Sequence, residues 1–206
     1  MTSVSHSARH TAVGTLQNFI ASGLSLPTGL ITAAFLTRKL GPHDYGLYTV
    51  AVTIIVLVEI SITLGFNRTA VKFVSESSQW KAVASSLLKT QFLVSILAAV
   101  VLLAAAPMLG AWLDSPDLSK YLALFSLDIP LCAMAGIHRS ILIGRGWFGL
   151  RAILTAIYWI IRMTLIILFV TLQPTITAAL LACIGTSASL LCVARIFIRP
   201  PLFKRS

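Results

Sequence analysis

Acidic residues are scarce in this 206-residue chain, which has six Asp and Glu against 16 Lys and Arg and a formal net charge of +10. Charged residues of both signs make up only 11% of the chain, whereas 57% of the residues are hydrophobic and the mean hydropathy is +0.92. A monomer in water could not cover so much apolar surface. The composition therefore predicts an integral membrane protein.

Residues that usually carry catalysis or bind metals are also few. The three cysteines, Cys132, Cys183 and Cys192, lack the paired spacing of a metal site or a redox motif, and the four histidines are scattered. The string GRGWFG matches a dinucleotide-binding fingerprint, but it joins two apolar stretches instead of following a strand. We therefore expect no enzyme activity, no bound cofactor and no metal site.

What the chain does have is six apolar stretches, each long enough to cross a bilayer as a helix, for which about 20 residues suffice. Spanning segments must satisfy their backbone polar groups internally, which favours helices. The loops between the stretches are short, so consecutive helices should pack as antiparallel neighbours. We predict an all-α, polytopic membrane helix bundle forming one domain over residues 1–206. The predicted spans are residues 13–36, 45–66, 82–113, 121–143, 150–172 and 176–198.

The basic residues fall mostly on one side of these spans when the spans are threaded in order. The opposite side carries only Arg38, Lys39 and Lys120. Because short cytoplasmic loops retain Lys and Arg, this asymmetry places both termini in the cytoplasm. The charge then faces anionic headgroups of the lipid bilayer, and no nucleic-acid partner is expected. The residues on the basic side are Arg9, Arg68, Lys72, Lys81, Lys89, Arg139, Arg145, Arg151, Arg195, Arg199, Lys204 and Arg205.

Prolines and polar residues predict interruptions in this simple pattern. Pro27 in the first span and Pro130 in the fourth predict kinked or broken helices, as in the moving parts of transporters. The segment 67–81 alternates apolar with charged residues, which predicts a short helix on the inner membrane surface or a polar loop.

Polar side chains form lines at helical spacing on four of the spans. A charge near the bilayer centre costs about 2.5–3.5 kcal/mol, so these faces should turn toward one another or toward a wet cavity. The lines are Thr11, Thr15, Asn18, Ser22, Ser25 and Gly29; Glu59 and Thr63; Asp128, Cys132, Ala135 and Arg139; and Arg151, Thr155, Tyr158 and Arg162.

Depth in the membrane relates residues on neighbouring spans. Asp128 and Arg162 should lie at similar levels in the outer half, and Arg139 and Arg151 at the inner end. Two interpretations of each pair stay open. Asp128 and Arg162 either form an ion pair that ties helices together or serve transport, and Arg139 and Arg151 are either positive-inside anchors or ligand contacts.

The segment LTRKLGPHDYGLY, Leu36 to Tyr48, is followed by an apolar helix that ends in Leu64-Gly65-Phe66 and then Asn67-Arg68-Thr69-Ala70. This arrangement resembles the start of the polysaccharide biosynthesis flippases, which belong to the multidrug, oligosaccharidyl-lipid and polysaccharide exporter (MOP) superfamily. The resemblance is most specific in about the first 75 residues. Beyond them, hydropathy, basic inner loops and an Arg-Gly turn agree.

The resemblance implies transport of a lipid-linked oligosaccharide across the bacterial inner membrane. The typical cargo is an undecaprenyl-pyrophosphate-linked repeat unit for O-antigen, capsule or exopolysaccharide. Members usually have two lobes of about six helices around a cavity that opens alternately to each side. This chain corresponds to the amino-terminal lobe only. It is then a truncated gene product, a fragment, or a half-transporter that pairs with a second lobe or as a homodimer.

The resemblance also assigns roles to the polar lines. Arg162, Arg139 and Arg151 would attract the pyrophosphate, because a guanidinium holds phosphate oxygens bidentately and keeps its charge. Asn18 and Tyr158 would then bind sugar hydroxyls.

Two acids complete the hypothesis, since Glu59 or Asp128 would couple movement to a cation gradient. Two other functions stay open at this point. The chain would alternatively be a membrane assembly or accessory subunit without a transport cycle, or a multidrug or lipid-precursor exporter of the same superfamily.

Overall fold

The computed structural model describes Phe19 and residues 21–197, and these residues form α-helices without any strand. Within these described residues, five segments are long and apolar enough to cross a membrane: Pro42–Glu76, Trp80–Trp112, Pro116–Gly144, Phe148–Leu172 and Ile176–Phe197. The predicted all-α bundle of apolar helices is thus confirmed. The helices are α1 (Ser25–Leu40), α2 (Pro42–Glu76), α3 (Trp80–Trp112), α4 (Pro116–Phe125), α5 (Asp128–Gly144), α6 (Phe148–Leu172) and α7 (Ile176–Phe197).

The turns define the two ends of the bundle. The Gly41 end carries Gly41, residues 113–115 and residues 173–175, and the Gly146 end carries residues 77–79 and 145–147. Gly41 and Gly146 have φ values of 85° and 73°, a backbone region that favours glycine. The first predicted span lies partly outside the described residues, and its described part belongs mainly to α1.

The helical conformation is interrupted where the proline positions predict an interruption. Leu24 forms a turn just before α1, and residues 126–127 form a turn between α4 and α5. Pro27 and Pro130 are each the third residue of the helix that follows. A proline has no N–H to donate to the carbonyl four residues earlier, whereas the first turn of a helix needs no such donor. Each proline therefore begins a new helix instead of continuing the old one.

The segment 67–81 does not form a separate surface helix, so that expectation is wrong. Instead, α2 continues to Glu76 as one helix of 35 residues, and α3 begins at Trp80. Ala70 and Val74 are fully buried in this extension because they pack in a cluster with residues of α3, α5, α6 and α7. Tertiary packing thus keeps this stretch in the α2 helix, although its local sequence pattern predicts a separate element.

Helix α5 is the centre of the bundle. Eleven of its 17 residues are buried, and it packs against α2, α3, α6 and α7. Small residues make this possible, because helices in a membrane associate mainly through close van der Waals contact. At Gly144, a Cβ atom would lie 2.9 Å from the Val71 carbonyl oxygen and 3.0 Å from the Val74 side chain. The backbones of α5 and α2 therefore meet at this position.

We expect Gly144→Ala to destabilise the bundle by about 1–3 kcal/mol, because the added methyl group overlaps backbone that cannot move independently. Thermal unfolding of the purified protein in detergent measures this loss. Gly65→Ala is the matched control, since a Cβ at that exposed helical position meets nothing within 4 Å. Equal melting temperatures for the two variants would contradict the close approach of α2 and α5.

Candidate functional site

Tyr158 of α6 links the polar faces of α5 and α6. Its hydroxyl accepts a hydrogen bond of 2.7 Å from Arg162 Nη1, one helical turn further along α6. The guanidinium carbon of Arg139, on α5, lies 5.8 Å from the centre of the Tyr158 ring, within the range of a cation–π contact. The two predicted lines of polar residues thus face each other, with Tyr158 between their arginines.

The acids Glu59 and Asp128 lie in the same region. Glu59 on α2 is close enough to Asp128, Arg162 and Arg139 for their charges to act on it. Asp128 is 6% exposed, and one oxygen of each carboxylate, Glu59 Oε1 and Asp128 Oδ1, is buried without a hydrogen-bond partner. Cys132 lies beside Glu59. Helices α2, α5 and α6 therefore direct their membrane-embedded charges into one interior region.

No ion pair ties Asp128 to Arg162 in the described part of the chain, which corrects one of the two interpretations above. The ion pair that residues 21–197 do contain joins Lys120 Nζ to Asp117 Oδ1 at 3.0 Å, on an exposed turn of α4. Arg162 instead donates to Tyr158, and Ser187 of α7 lies beside the Asp128 carboxylate. The guanidinium thus turns along its own helix, whereas the carboxylate turns toward α7.

A basic pocket of about 390 Å³ opens between α2, α5 and α6 near the Gly146 end. It brings Arg139 and Arg151 together, as their depth predicted, and adds Arg68. Its lining contains three arginines and neither Asp nor Glu. The Asn67 side chain lies against α5, since a Cβ built at Gly136 would be at an ordinary contact distance of 3.6 Å from Asn67 Oδ1. The lining residues are Asn67, Arg68, Val71, Gly136, Arg139, Ser140, Ile143 and Arg151.

The sequence analysis missed Asn67 and Arg68 as site residues. The signal was present, because Glu59, Thr63 and Asn67 follow one another at steps of four residues and so share a helix face. The pattern does not point to Asn67 when the second predicted span ends at residue 66, because residue 67 then falls in a loop.

A second cavity, the threonine cavity, has a volume of about 370 Å³ and lies between α1, α2 and α6. Arg162 reaches this cavity and not the basic pocket. Arg162 lies eleven positions after Arg151, which corresponds to about 16 Å along the α6 axis. The arginines of the polar lines therefore reach two different cavities, on either side of Tyr158. The threonine cavity is lined by Thr28, Gly29, Thr32, Ala33, Leu36, Tyr45, Tyr48, Thr49, Val52, Thr53, Val56, Trp159, Arg162 and Met163.

Asn18, the remaining predicted site residue, lies outside the described residues. The roles predicted for the other six, Arg162, Arg139, Arg151, Tyr158, Glu59 and Asp128, remain hypotheses that the geometry alone does not test.

Two solved structures are similar to this chain. A multidrug resistance MATE family transporter of the MOP superfamily, in an outward-facing conformation, matches with a TM-score of 0.75 and 12% sequence identity over 88% of this chain and 43% of that one. A MOP superfamily transporter from Pyrococcus furiosus Vc1 (DSM3638) matches with a TM-score of 0.74 and 14% identity, over 90% and 44%. The chain spans less than half the length of either protein. Its fold is that of one lobe of a MOP superfamily transporter.

The particular family follows from the sequence. The family model described as polysaccharide biosynthesis protein matches residues 11–205. Because this match covers nearly the whole chain, the protein belongs to that family, which confirms the resemblance seen around residues 36–70. No curated protein matches the chain significantly.

We expect Tyr158→Phe to lower the free energy of unfolding by about 1.5–3 kcal/mol, because it removes the hydroxyl that accepts from a charged donor. Thermal unfolding in detergent measures the change. Tyr121→Phe is the control, since its hydroxyl makes no hydrogen bond within the described residues. A Tyr158→Phe variant as stable as this control would show that the Arg162 hydrogen bond contributes nothing to folding.

Proposed function

We propose that this protein carries a lipid-linked oligosaccharide, with an undecaprenyl-pyrophosphate anchor, across the bacterial inner membrane. The observation that carries the proposal is the basic pocket, where Arg68, Arg139 and Arg151 converge in a lining that contains neither Asp nor Glu. The family and the transporter fold support the proposal further. O-antigen, capsule or exopolysaccharide synthesis would consume the product, and the termini would lie in the cytoplasm.

Pyrophosphate suits the basic pocket for electrostatic and geometric reasons. Its oxygens only accept hydrogen bonds, and arginine guanidinium groups only donate them, often two to one phosphate. Asn67 adds an amide beside the arginines. The pocket lies near the Gly146 end, where the chain carries most of its positive charge. An anionic headgroup on that side of the membrane would therefore be drawn to the pocket.

Arg162 would act at a second position on the path of the cargo. It lies deeper along α6, toward the Gly41 end, and shares Tyr158 with Arg139. A pyrophosphate that leaves the basic pocket would meet Arg162 as the next cation. Alternating access of this kind needs a second lobe opposite the cavities.

Glu59 and Asp128 are the proposed coupling groups. Each has a buried carboxylate oxygen without a hydrogen-bond partner, and Arg162 and Arg139 lie close enough to act on Glu59. Binding of a proton or a small cation to these acids would reduce their attraction for the arginines. The arginines would then be free to hold the cargo.

The test of the basic pocket is transport by Arg139→Gln and Arg151→Gln in cells that depend on this protein for surface polysaccharide. We expect each variant to lose about 10- to 100-fold in transport rate at limiting cargo, because each removes charge-assisted hydrogen bonds worth about 1.5–3 kcal/mol. Arg145→Gln is the matched control at the same end, since its guanidinium lies over the Trp80 ring and outside the pocket. Normal transport by both pocket variants would refute the proposal.

The coupling role is tested in proteoliposomes that contain the complete transporter. We expect Glu59→Gln and Asp128→Asn to abolish the dependence of transport on an imposed proton or sodium gradient, while exchange without a gradient persists. Asp117→Asn, in the exposed ion pair with Lys120, should leave the gradient dependence intact. Gradient-driven transport at the wild-type rate in both acid variants would exclude these residues as coupling groups.

A further inference from the structure

The four threonines of the threonine cavity have already used their hydroxyl hydrogens. Thr28 and Thr32 on α1 donate to the carbonyl oxygens of Leu24 and Thr28, at 2.5 and 2.7 Å. The two cavity threonines on α2 likewise donate to the carbonyl oxygen four residues earlier. Thr49 donates to Tyr45 and Thr53 donates to Thr49, each in a hydrogen bond of 2.8 Å. Each hydroxyl oxygen keeps lone pairs but has no hydrogen left to give. These side chains therefore offer the cavity acceptors and not donors.

A wall of hydrogen-bond acceptors favours a ligand that carries many hydrogen-bond donors. Phosphate oxygens only accept hydrogen bonds, so in this cavity they could bond to Arg162 but to none of the four threonines. A lipid tail makes no hydrogen bonds. An organic cation would be a donor, but the Arg162 guanidinium in the same cavity repels it. Neutral groups with many O–H donors remain, and sugars are the ligands richest in them.

The other residues that line the threonine cavity also suit a sugar ligand. Trp159 and Tyr45 line the cavity and provide apolar ring surfaces against which the C–H faces of a sugar ring can pack. The Trp159 ring is held at 5.0 Å from Tyr158, edge to face, so its orientation is fixed. Arg162 adds N–H donors for ring oxygens or for the carboxylate of an acidic sugar. A volume of about 370 Å³ lies within the range of about 300–1,000 Å³ seen for small-molecule sites.

We infer that the threonine cavity is the subsite for the glycan of the cargo, separate from the basic pocket that holds its pyrophosphate. The inference rests on the proposed function for the pyrophosphate half alone. The two subsites lie along α6 at opposite ends of the segment Arg151–Arg162, about 16 Å apart by helical rise. The glycan thus points toward the Gly41 end while the pyrophosphate stays near the Gly146 end.

The inference is tested by binding to purified protein in which Trp80, Trp112 and Trp147 are replaced by Phe, so that Trp159 alone reports by fluorescence. Three probes are used: undecaprenyl pyrophosphate, the lipid-linked oligosaccharide extracted from cells that make it, and the oligosaccharide released from it by mild acid. The test variant is Thr49→Val with Thr53→Val, which keeps the shape and removes two acceptors. The matched control is Thr37→Val with Thr171→Val, two exposed threonines outside the cavity with the same backbone hydrogen bond.

We expect the Thr49 and Thr53 variant to bind the lipid-linked and the released oligosaccharide about tenfold more weakly than the control, since it loses two hydrogen-bond acceptors. Its affinity for undecaprenyl pyrophosphate should not change. Equal affinity of variant and control for both glycan probes overturns the inference. So does quenching of Trp159 by the cation tetraphenylphosphonium but not by oligosaccharide.

Failure of the proposed function has a different signature. If Arg139→Gln with Arg151→Gln binds undecaprenyl pyrophosphate as tightly as Arg145→Gln does, the pyrophosphate site is wrong. A tenfold loss of released oligosaccharide in the threonine variant would still support the glycan subsite in that case.

Discussion

The cost of placing charge in hydrocarbon is the constraint on which this structure depends. An ionised side chain at the bilayer centre costs about 2.5–3.5 kcal/mol on insertion scales, and Glu59, Asp128, Arg139 and Arg162 all lie on helices that cross the membrane. Turning each of them inward fixes how α2, α5 and α6 are rotated about their axes. The apolar faces that remain, with many exposed leucines, valines and isoleucines, are then directed to lipid. One requirement thus sets both the lipid surface and the polar interior.

Small residues allow these rotated helices to pack closely enough to form the basic pocket. Helices in lipid gain no hydrophobic energy by leaving water, so contact must be close to be stable. Gly144 brings α5 against the α2 backbone at Val71, and Asn67 of α2 lies against α5 near Gly136. The same contact places the arginines of three helices around the basic pocket. The packing of α5 against α2 and the shape of the basic pocket therefore depend on the same close contact at glycine, and a substitution there would affect both.

The two cavities differ in chemistry in a way that suits an amphipathic cargo with a charged link. One is rich in N–H donors from arginine, and the other is rich in oxygen acceptors from threonine beside aromatic rings. Tyr158 separates them and contacts an arginine of each. A pyrophosphate only accepts hydrogen bonds, whereas the hydroxyl groups of a glycan also donate them. The complementarity of donors and acceptors, more than the total charge, distinguishes the two sites.

Hydropathy, proline positions and the spacing of polar residues determined the membrane class, the break before Pro130 and the inward faces, because each is a property of one helix and its solvent. The sequence also carried the family resemblance. Only the tertiary structure extended α2 to Glu76, brought Arg68 to Arg139 and Arg151, and showed that Asp128 forms no ion pair with another described residue. It alone showed the threonine cavity, since threonines that bond to their own helix give no signal in sequence. These features depend on how far helices slide and rotate against one another, which contacts distant along the chain decide.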